Sequence, residues 1–357
     1  MWNPAKLPKS ELLSGRNRDN RPDGCATLSN LVKTFAAAHY AFQDCPKMLG
    51  KTYGSSVCVA EQSKIPLPLT TASPLSQKAR NILITGCSSG IGYCVAHGLK
   101  ARGWRVFATA RQAADVVRLH SEGLESLLLD VRDSVLIQAA VAEILERTGG
   151  RLQALFNNAG YGQVGAVEDV SRAAFREQFE TNVFGAQELT NRIIPVMRRQ
   201  GSGRILYNSS VLGLVAFPYR GAYVASKFAL EGLADALRLE LAGTGIHISL
   251  IEPGPILSRF RDNAHAAWQR HVQAGTSVHR DNYTAMEARL LKAGPAAPFT
   301  LPPDAVLKQV IHALESSRPK ARYPVTVPTF LFAALRRWLP TCILDTILRR
   351  AGGGGRR

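Results

Sequence analysis

Asn81-Ile82-Leu83-Ile84-Thr85-Gly86-Cys87-Ser88-Ser89-Gly90-Ile91-Gly92 is a short apolar run that breaks into a glycine turn, and Tyr93 to Ala101 follows with helical periodicity. The apolar run reads as a buried strand. Strand, glycine turn and helix in immediate succession are the context that makes a glycine motif informative. Backbone N–H groups of such a turn, with the helix N-terminus, can face a pyrophosphate, and glycine permits a close approach that a Cβ would block. The spacing is Gly-x-x-x-Gly-x-Gly, not Gly-x-Gly-x-x-Gly, and a purely structural turn is the competing reading.

The same alternation continues outward. Arg105–Arg111 reads as the second strand, Leu127–Val131 as the third, Leu152–Phe156 as the fourth, Gly203–Ser210 as the fifth and Ile246–Ile251 as the sixth, with helical runs between them. Strands alternating with helices predict an α/β fold, a doubly wound parallel sheet with helices on both faces. Ligands of such sheets collect at the carboxyl ends of the strands, so the residues there carry the functional reading.

At the end of the second strand a dinucleotide fold commonly places an acid for the adenosine ribose. Here Ala110 is followed by Arg111, and a guanidinium suits a 2′-phosphate. This favours NADP, with NAD as the alternative; the plain reading is that Arg111 opens the next helix in solvent. Asp130 ends the third strand and caps either the adenine edge of a cofactor or the next helix, Arg132 to Arg147. The fourth strand runs into Asn157-Asn158-Ala159-Gly160, and the sixth into Glu252-Pro253-Gly254-Pro255-Ile256.

Phe175 to Arg199 reads as one long helix containing Thr181-Asn182-Val183-Phe184-Gly185. Asparagine and glycine are poor helix-interior residues, so Asn182 marks a kink or a polar group aimed into a cavity. Ser210 ends the fifth strand, where a serine is often only a turn former. Thirteen residues later, Tyr223-Val224-Ala225-Ser226-Lys227 opens another helical run. Positions i and i+4 share a helix face. A nearby ammonium favours the phenolate, so Lys227 is expected to lower the Tyr223 pKa toward neutrality, where a tyrosine can exchange a proton with an alcohol or carbonyl.

The net charge of +17 first suggests nucleic acid or an anionic surface. The excess sits at the ends: residues 1–80 carry +6 and residues 331–357 carry +5, which leaves +6 across the 250 residues between. No basic helix interleaved with aromatics is present, so a nucleic-acid partner is not expected. The six cysteines form no Cys-x-x-Cys and the eight histidines have no ligand spacing alongside carboxylates, so no metal site is expected either. His247, alone in an apolar strand, reads as a packed core residue.

Residues 1–79 lack periodicity and read as a disordered extension or a misassigned start; deleting residues 1–77 is expected to spare activity. The acids Glu11, Asp19, Asp23, Asp44 and Glu61 argue against a transit peptide. Residues 80–327 form the catalytic domain, with 257–300, where the alternation lapses, as a lid over a substrate pocket. Pro302 to Ser316 reads as a helix and Arg322 to Val327 as a last short strand. Residues 328–357 form a helical basic and apolar tail that packs on the domain, pairs subunits or lies on an anionic membrane. Gly352–Gly355 and the final arginines are expected to be floppy.

Taken in order, Thr85-Gly86-x-x-x-Gly90-Ile91-Gly92, Asn157-Asn158-Ala159-Gly160, Asn182, Ser210, Tyr223-x-x-x-Lys227 and Pro253-Gly254 resemble the short-chain dehydrogenase/reductase family, and Tyr223 to Gly232 resembles its hydroxysteroid, retinol and aldehyde dehydrogenase-like branch. The resemblance implies a Rossmann-like domain and an NAD(P)-dependent oxidoreductase acting on a small apolar carbonyl or alcohol. It implies Tyr223 as the acid/base, Lys227 as its tuner and a nicotinamide-ribose ligand, Ser210 as the holder of the substrate oxygen, and Asn182 as the holder of a relay water. Gly86, Ser88, Ser89, Gly90, Ile91 and Gly92 would wrap the pyrophosphate and Arg111 would hold the 2′-phosphate. Asp130 and Val131 would meet the adenine, and Asn158 and Ile256 the ribose and nicotinamide ends. The cysteine usage points to reduced thiols in a cytoplasmic compartment; a homo-oligomer is expected, with packing of the tail on the domain or a sister subunit as its default reading and peripheral membrane contact as the alternative. The alternative is a catalytically silent NADP(H)-sensing protein on the same fold.

Overall fold

Asn81–Ile84 (β1) is buried at every position and is an interior strand of the sheet in the computed structural model of the chain, which describes residues 80–353. The helix Gly90–Ala101 (α1) follows the glycine turn, then Arg105–Ala110 (β2), Ala113–Ser121 (α2), Glu125–Leu128 (β3), Ser134–Arg147 (α3) and Ala154–Asn157 (β4). The second half runs Arg172–Phe179 (α4), Gly185–Gln200 (α5), Gly203–Asn208 (β5), Gly221–Glu240 (α6) and Ile246–Glu252 (β6). It ends with Phe260–His271 (α7), Arg280–Leu291 (α8), Asp304–Glu315 (α9), Arg322–Pro324 (β7), Val327–Trp338 (α10) and Thr341–Gly352 (α11).

All seven strands pair in parallel, in the order β3-β2-β1-β4-β5-β6-β7. The order reverses between β1 and β4, which opens a crevice at their carboxyl ends. Two apolar layers cover the sheet. On one face Ile137, Leu189, Ile193, Leu230 and Leu237 from α3, α5 and α6 pack on Leu83, Phe107, Leu155 and Ile205. On the other, Val95, Leu99, Val306 and Val310 from α1 and α9 pack on Ile82, Ile84, Phe156 and Leu206. Burial of both strand faces is why β1 is continuously apolar and not alternating.

Several boundaries differ from the sequence reading for physical reasons. The third strand stops at Leu128, because Leu129 to Asp133 turn away; Asp133, not Asp130, caps α3, accepting from the N–H groups of Val135 (2.9 Å) and Leu136 (3.2 Å). His247 is exposed, since the pleat at the start of β6 points it outward; partial burial of its ring, and then the charge of Arg204 beside it, lower its pKa. Gly352 and Gly353 are ordered: Gly352 is buried against Phe217 and Pro218, and Gly353 ends α11 at φ 78°. Residues 257–300 hold two packed helices, α7 and α8. The readings for residues 1–79 and for 354–357 lie outside the described residues.

The long helix over 175–199 is interrupted. Glu180–Phe184 is a π-helical turn between α4 and α5, and it carries Asn182. Such turns insert a residue into the helical ladder and re-aim a side chain. Gly185 follows it because α5 crosses the loop after β3 closely: an added Cβ would overlap the carbonyl oxygen of Val131. Gly185→Ala is therefore expected to cost about 2 kcal/mol through overpacking and to lower the thermal midpoint by several degrees in a melting experiment.

Candidate active site

The glycine turn is locked from below. Thr85 Oγ1 accepts from the N–H groups of Asn158 (3.0 Å) and Ala159 (2.9 Å), tying the end of β1 to the end of β4. Asn158 Nδ2 donates to the carbonyls of Thr85 (2.8 Å) and Gly86 (3.1 Å), and Asn158 Oδ1 accepts from Asn208 Nδ2 (2.9 Å). Its side chain thus holds the turn's shape, and Asn158 still lines the groove beside it. Gly86 and Gly90 have φ of 73° and 59°, the left-handed region that glycine adopts at little cost. An added Cβ on Gly86 would come within 2.9 Å of Ala159 Cα, and one on Gly92 would overlap the Gly86 carbonyl.

A groove opens along the carboxyl ends of β1 to β4. Gly86, Ser88, Ser89, Gly90, Ile91, Gly92, Arg111, Asp130, Val131 and Asn158 all line it, as sequence reasoning expected of a cofactor cleft. Ile256 does not line it; it is partly buried on the α1 side of the core and bridges to Leu301. Arg132, Tyr161, Thr181 and Phe260 line the groove and were missed. Only Arg132 had a visible signal, as a second guanidinium two residues after Asp130. Their ion pair (2.7 Å) holds the Asp130 carboxyl below its usual range, chiefly through the Arg132 hydrogen bond. A second cavity, of about 340 Å³, lies at the amino end of β6, among Arg238, Gly245 and His247. It is at the wrong end of a parallel sheet for ligand chemistry.

A nicotinamide dinucleotide fits this groove. The glycine cradle is one that Cβ atoms would fill, the α1 N-terminus opens onto it, and Arg111 is exposed at its rim without a carboxylate partner among the described residues.

Tyr223 lies on the first turn of α6, just behind the groove, 8 % exposed and with its ring 5.4 Å from that of Phe260. Ser210 ends the turn after β5, where its Oγ accepts from Leu212 N–H (3.1 Å), and it is the polar side chain that draws the Tyr223 phenol downward. Lys227 is one turn further along α6. Its Nζ lies 5.7 Å from the Tyr223 ring centre and donates to the Asn208 carbonyl (2.6 Å). Asn182 Nδ2 donates to Ser226 Oγ (3.0 Å) and to the Tyr161 carbonyl (3.0 Å), and its Oδ1 accepts from Tyr161 N–H (3.1 Å). Its side chain is thus engaged with protein, with a single lone pair on Oδ1 to spare.

The electrostatics depart from the simple expectation for a tyrosine beside a lysine. Burial pushes the Tyr223 phenol up to about 12, against the pull of the neighbouring Ser210 hydroxyl. Burial lowers Lys227 to about 8, against the attraction of Glu231. Desolvation penalises both charged forms, and the ammonium is turned toward Asn208, so it does not lower the phenol as the sequence reading expected.

Beneath Lys227 is a buried charge cluster that the sequence reading did not identify. Glu231, one turn after Lys227, accepts from Ser209 Oγ and from Arg322 (3.0 Å). Arg322 on β7 also pairs with Asp235 (2.7 Å) and approaches Glu252 Oε1 (3.2 Å), which has no hydrogen-bond partner of its own. Burial raises Glu252 to about 8 and raises Glu231 as well; the Asp235 hydrogen bond, first among several causes, holds Arg322 higher still. A glutamate four residues after Lys227 on an otherwise apolar helix face was the available signal.

The family model for short chain dehydrogenases matches residues 80–268. An uncharacterized oxidoreductase, YbbO, of Escherichia coli K12 is 44% identical over 270 residues, covering 76% of this chain and 94% of that protein. Human retinol dehydrogenase 8 is 35% identical, covering 75% and 85%. The solved structure of a Burkholderia phymatum short-chain dehydrogenase/reductase in complex with NAD superimposes with a TM-score of 0.62 at 25% identity, over 72% of this chain and 92% of that one. The chain belongs to the short-chain dehydrogenase/reductase family, as an NAD(P)-dependent oxidoreductase acting on CH–OH and C=O groups.

Proposed function

We propose that the protein reduces an apolar aldehyde or ketone with NADPH, Tyr223 donating the proton. The observation that carries this reading is a buried phenol with Ser210 as its polar neighbour, one helical turn from Lys227 and beside a glycine-lined groove with Arg111 at its rim. Bound in the groove, the nicotinamide supplies the hydride. Ser210 holds the substrate oxygen and polarises the carbonyl, where charge develops. Tyr223, protonated at neutral pH because burial raises its pKa, gives its proton to that oxygen. Lys227, fixed on the Asn208 carbonyl, holds the ribose end of the cofactor. Asn182 fixes Tyr161 and Ser226 around the pair and holds the relay water on its remaining lone pair. Tyr223 packs against Phe260, which lines the groove, and against the apolar cluster of Leu212 and Val215, surroundings that suit a hydrophobic substrate. Relatedness to a retinol dehydrogenase supports the same class.

Arg111 is the reason to prefer NADPH. A charge-assisted hydrogen bond to a 2′-phosphate is worth about 1.5–3 kcal/mol. Arg111→Ser is expected to raise the KM for NADPH by roughly ten- to a hundred-fold while leaving that for NADH almost unchanged. Steady-state kinetics with both cofactors checks this; equal losses with the two would remove Arg111 from cofactor choice.

A further inference from the structure

We propose that the outward face of the two C-terminal helices docks the protein on an anionic lipid surface. The helix α10 is apolar on two sides. Its inner side carries buried Leu335, and Phe332 packs with Val211, Leu212 and Val215 on the Tyr223 cluster. Its outer side carries Val327, Phe330, Leu331 and Trp338, which are 57, 51, 41 and 74 % exposed. Their spacing of three, four and seven puts them in one stripe along the helix. A contiguous apolar stripe with an exposed tryptophan marks a face that something covers. On α11 the exposed Ile343 shares its side with Arg350, seven residues on.

Charge identifies the occupant. Residues 327–353 carry Arg336, Arg337, Arg349 and Arg350 against a single acid, Asp345. Arg336 is turned onto the Leu214 carbonyl and the Phe228 ring, and the other three are exposed. A two-fold contact between copies sets one patch against itself. It would stack these arginines on their counterparts with almost nothing to neutralise them, and like charges across an interface are repelled. Anionic headgroups attract the same arginines, while Phe330, Leu331 and Trp338 enter the headgroup–acyl boundary. The site is separate from the catalytic one, and the inference does not depend on how Tyr223 works.

The test is co-sedimentation of the full chain with phosphatidylcholine vesicles, with and without phosphatidylserine, alongside light-scattering chromatography. The expected result is binding to the anionic vesicles alone, weakened by salt. Phe330→Glu with Leu331→Glu, and separately Arg349→Gln with Arg350→Gln, should each weaken it about ten-fold, with turnover in vesicle-free buffer unchanged. Binding that survives both pairs of substitutions would overturn the proposal, as the basic residues 1–80 would then be responsible. So would no binding to either vesicle, or equal binding to both. A fall from dimer to monomer on Leu331→Glu with no vesicle binding would assign the face to a second copy. Binding gained only on deletion of residues 1–79 would assign it to the chain's own N-terminal segment.

Discussion

Replacing Tyr223 with phenylalanine is expected to lower turnover about 10³-fold, within the range of a lost general acid, while cofactor affinity stays within a few-fold. The substitution removes one oxygen and keeps the ring that packs on Phe260 and on the cluster of Val211, Leu212, Val215 and Leu348. Melting should therefore change little, and cofactor titration by fluorescence separates lost chemistry from lost binding. The pH dependence carries a second signature. Because burial raises the phenol to about 12, the proton-bearing form needed for carbonyl reduction persists through neutral pH. Alcohol oxidation needs the phenolate, so its rate should climb with pH across the alkaline range. Retained turnover in the phenylalanine variant would exclude Tyr223 as the proton donor.

Arg322→Met is expected to be the most damaging substitution outside the reacting groups. It removes the cation that pairs with Glu231, whose side chain is 9 % exposed, and with Asp235. Breaking a buried ion pair costs about 3–5 kcal/mol, and the lower end applies because Arg322 itself is 35 % exposed. Denaturant melts check this; an unchanged midpoint would show that the cluster contributes nothing to stability. The same cluster sets a pH dependence. Glu252 has a folded pKa of about 8 against an ordinary 4.5, so between these values the folded form holds the extra proton and stability falls as pH rises. Lys227 is depressed to about 8 from 10.5, so above pH 8 the unfolded form holds the extra proton and stability rises with pH. The two groups thus act in opposite senses on either side of pH 8, and Glu252→Gln should flatten the fall on the acid side.

Much of this architecture was legible because its signals are local. The apolar run Ile82–Ile84 followed by Gly86, Gly90 and Gly92 could be read as strand, turn and helix without any long-range information, and each later strand end repeated the pattern. Arg111 and Ser210 could be placed at the carboxyl ends of strands for the same reason. What was not legible depends on three-dimensional packing. Asn182 in a π-helical turn follows from how closely Gly185 passes Val131, two segments far apart in the chain. The Tyr223 pKa was misjudged because periodicity shows a neighbour on the helix but not the burial that outweighs it. Asp133 took the capping role from Asp130 because the strand ended earlier than its apolar run. Arg322, nearly a hundred residues from Glu231, was beyond any motif.

The most direct test of the central claim is transfer of deuterium from NADPH labelled at the nicotinamide to a panel of apolar aldehydes and ketones, read by mass spectrometry of the products. The expected result is deuterated alcohol from at least one member of the panel, formed by the native chain and not by Tyr223→Phe. Tight NADPH binding with no label in any product would contradict the account and would make the chain a nucleotide-binding protein on an oxidoreductase fold.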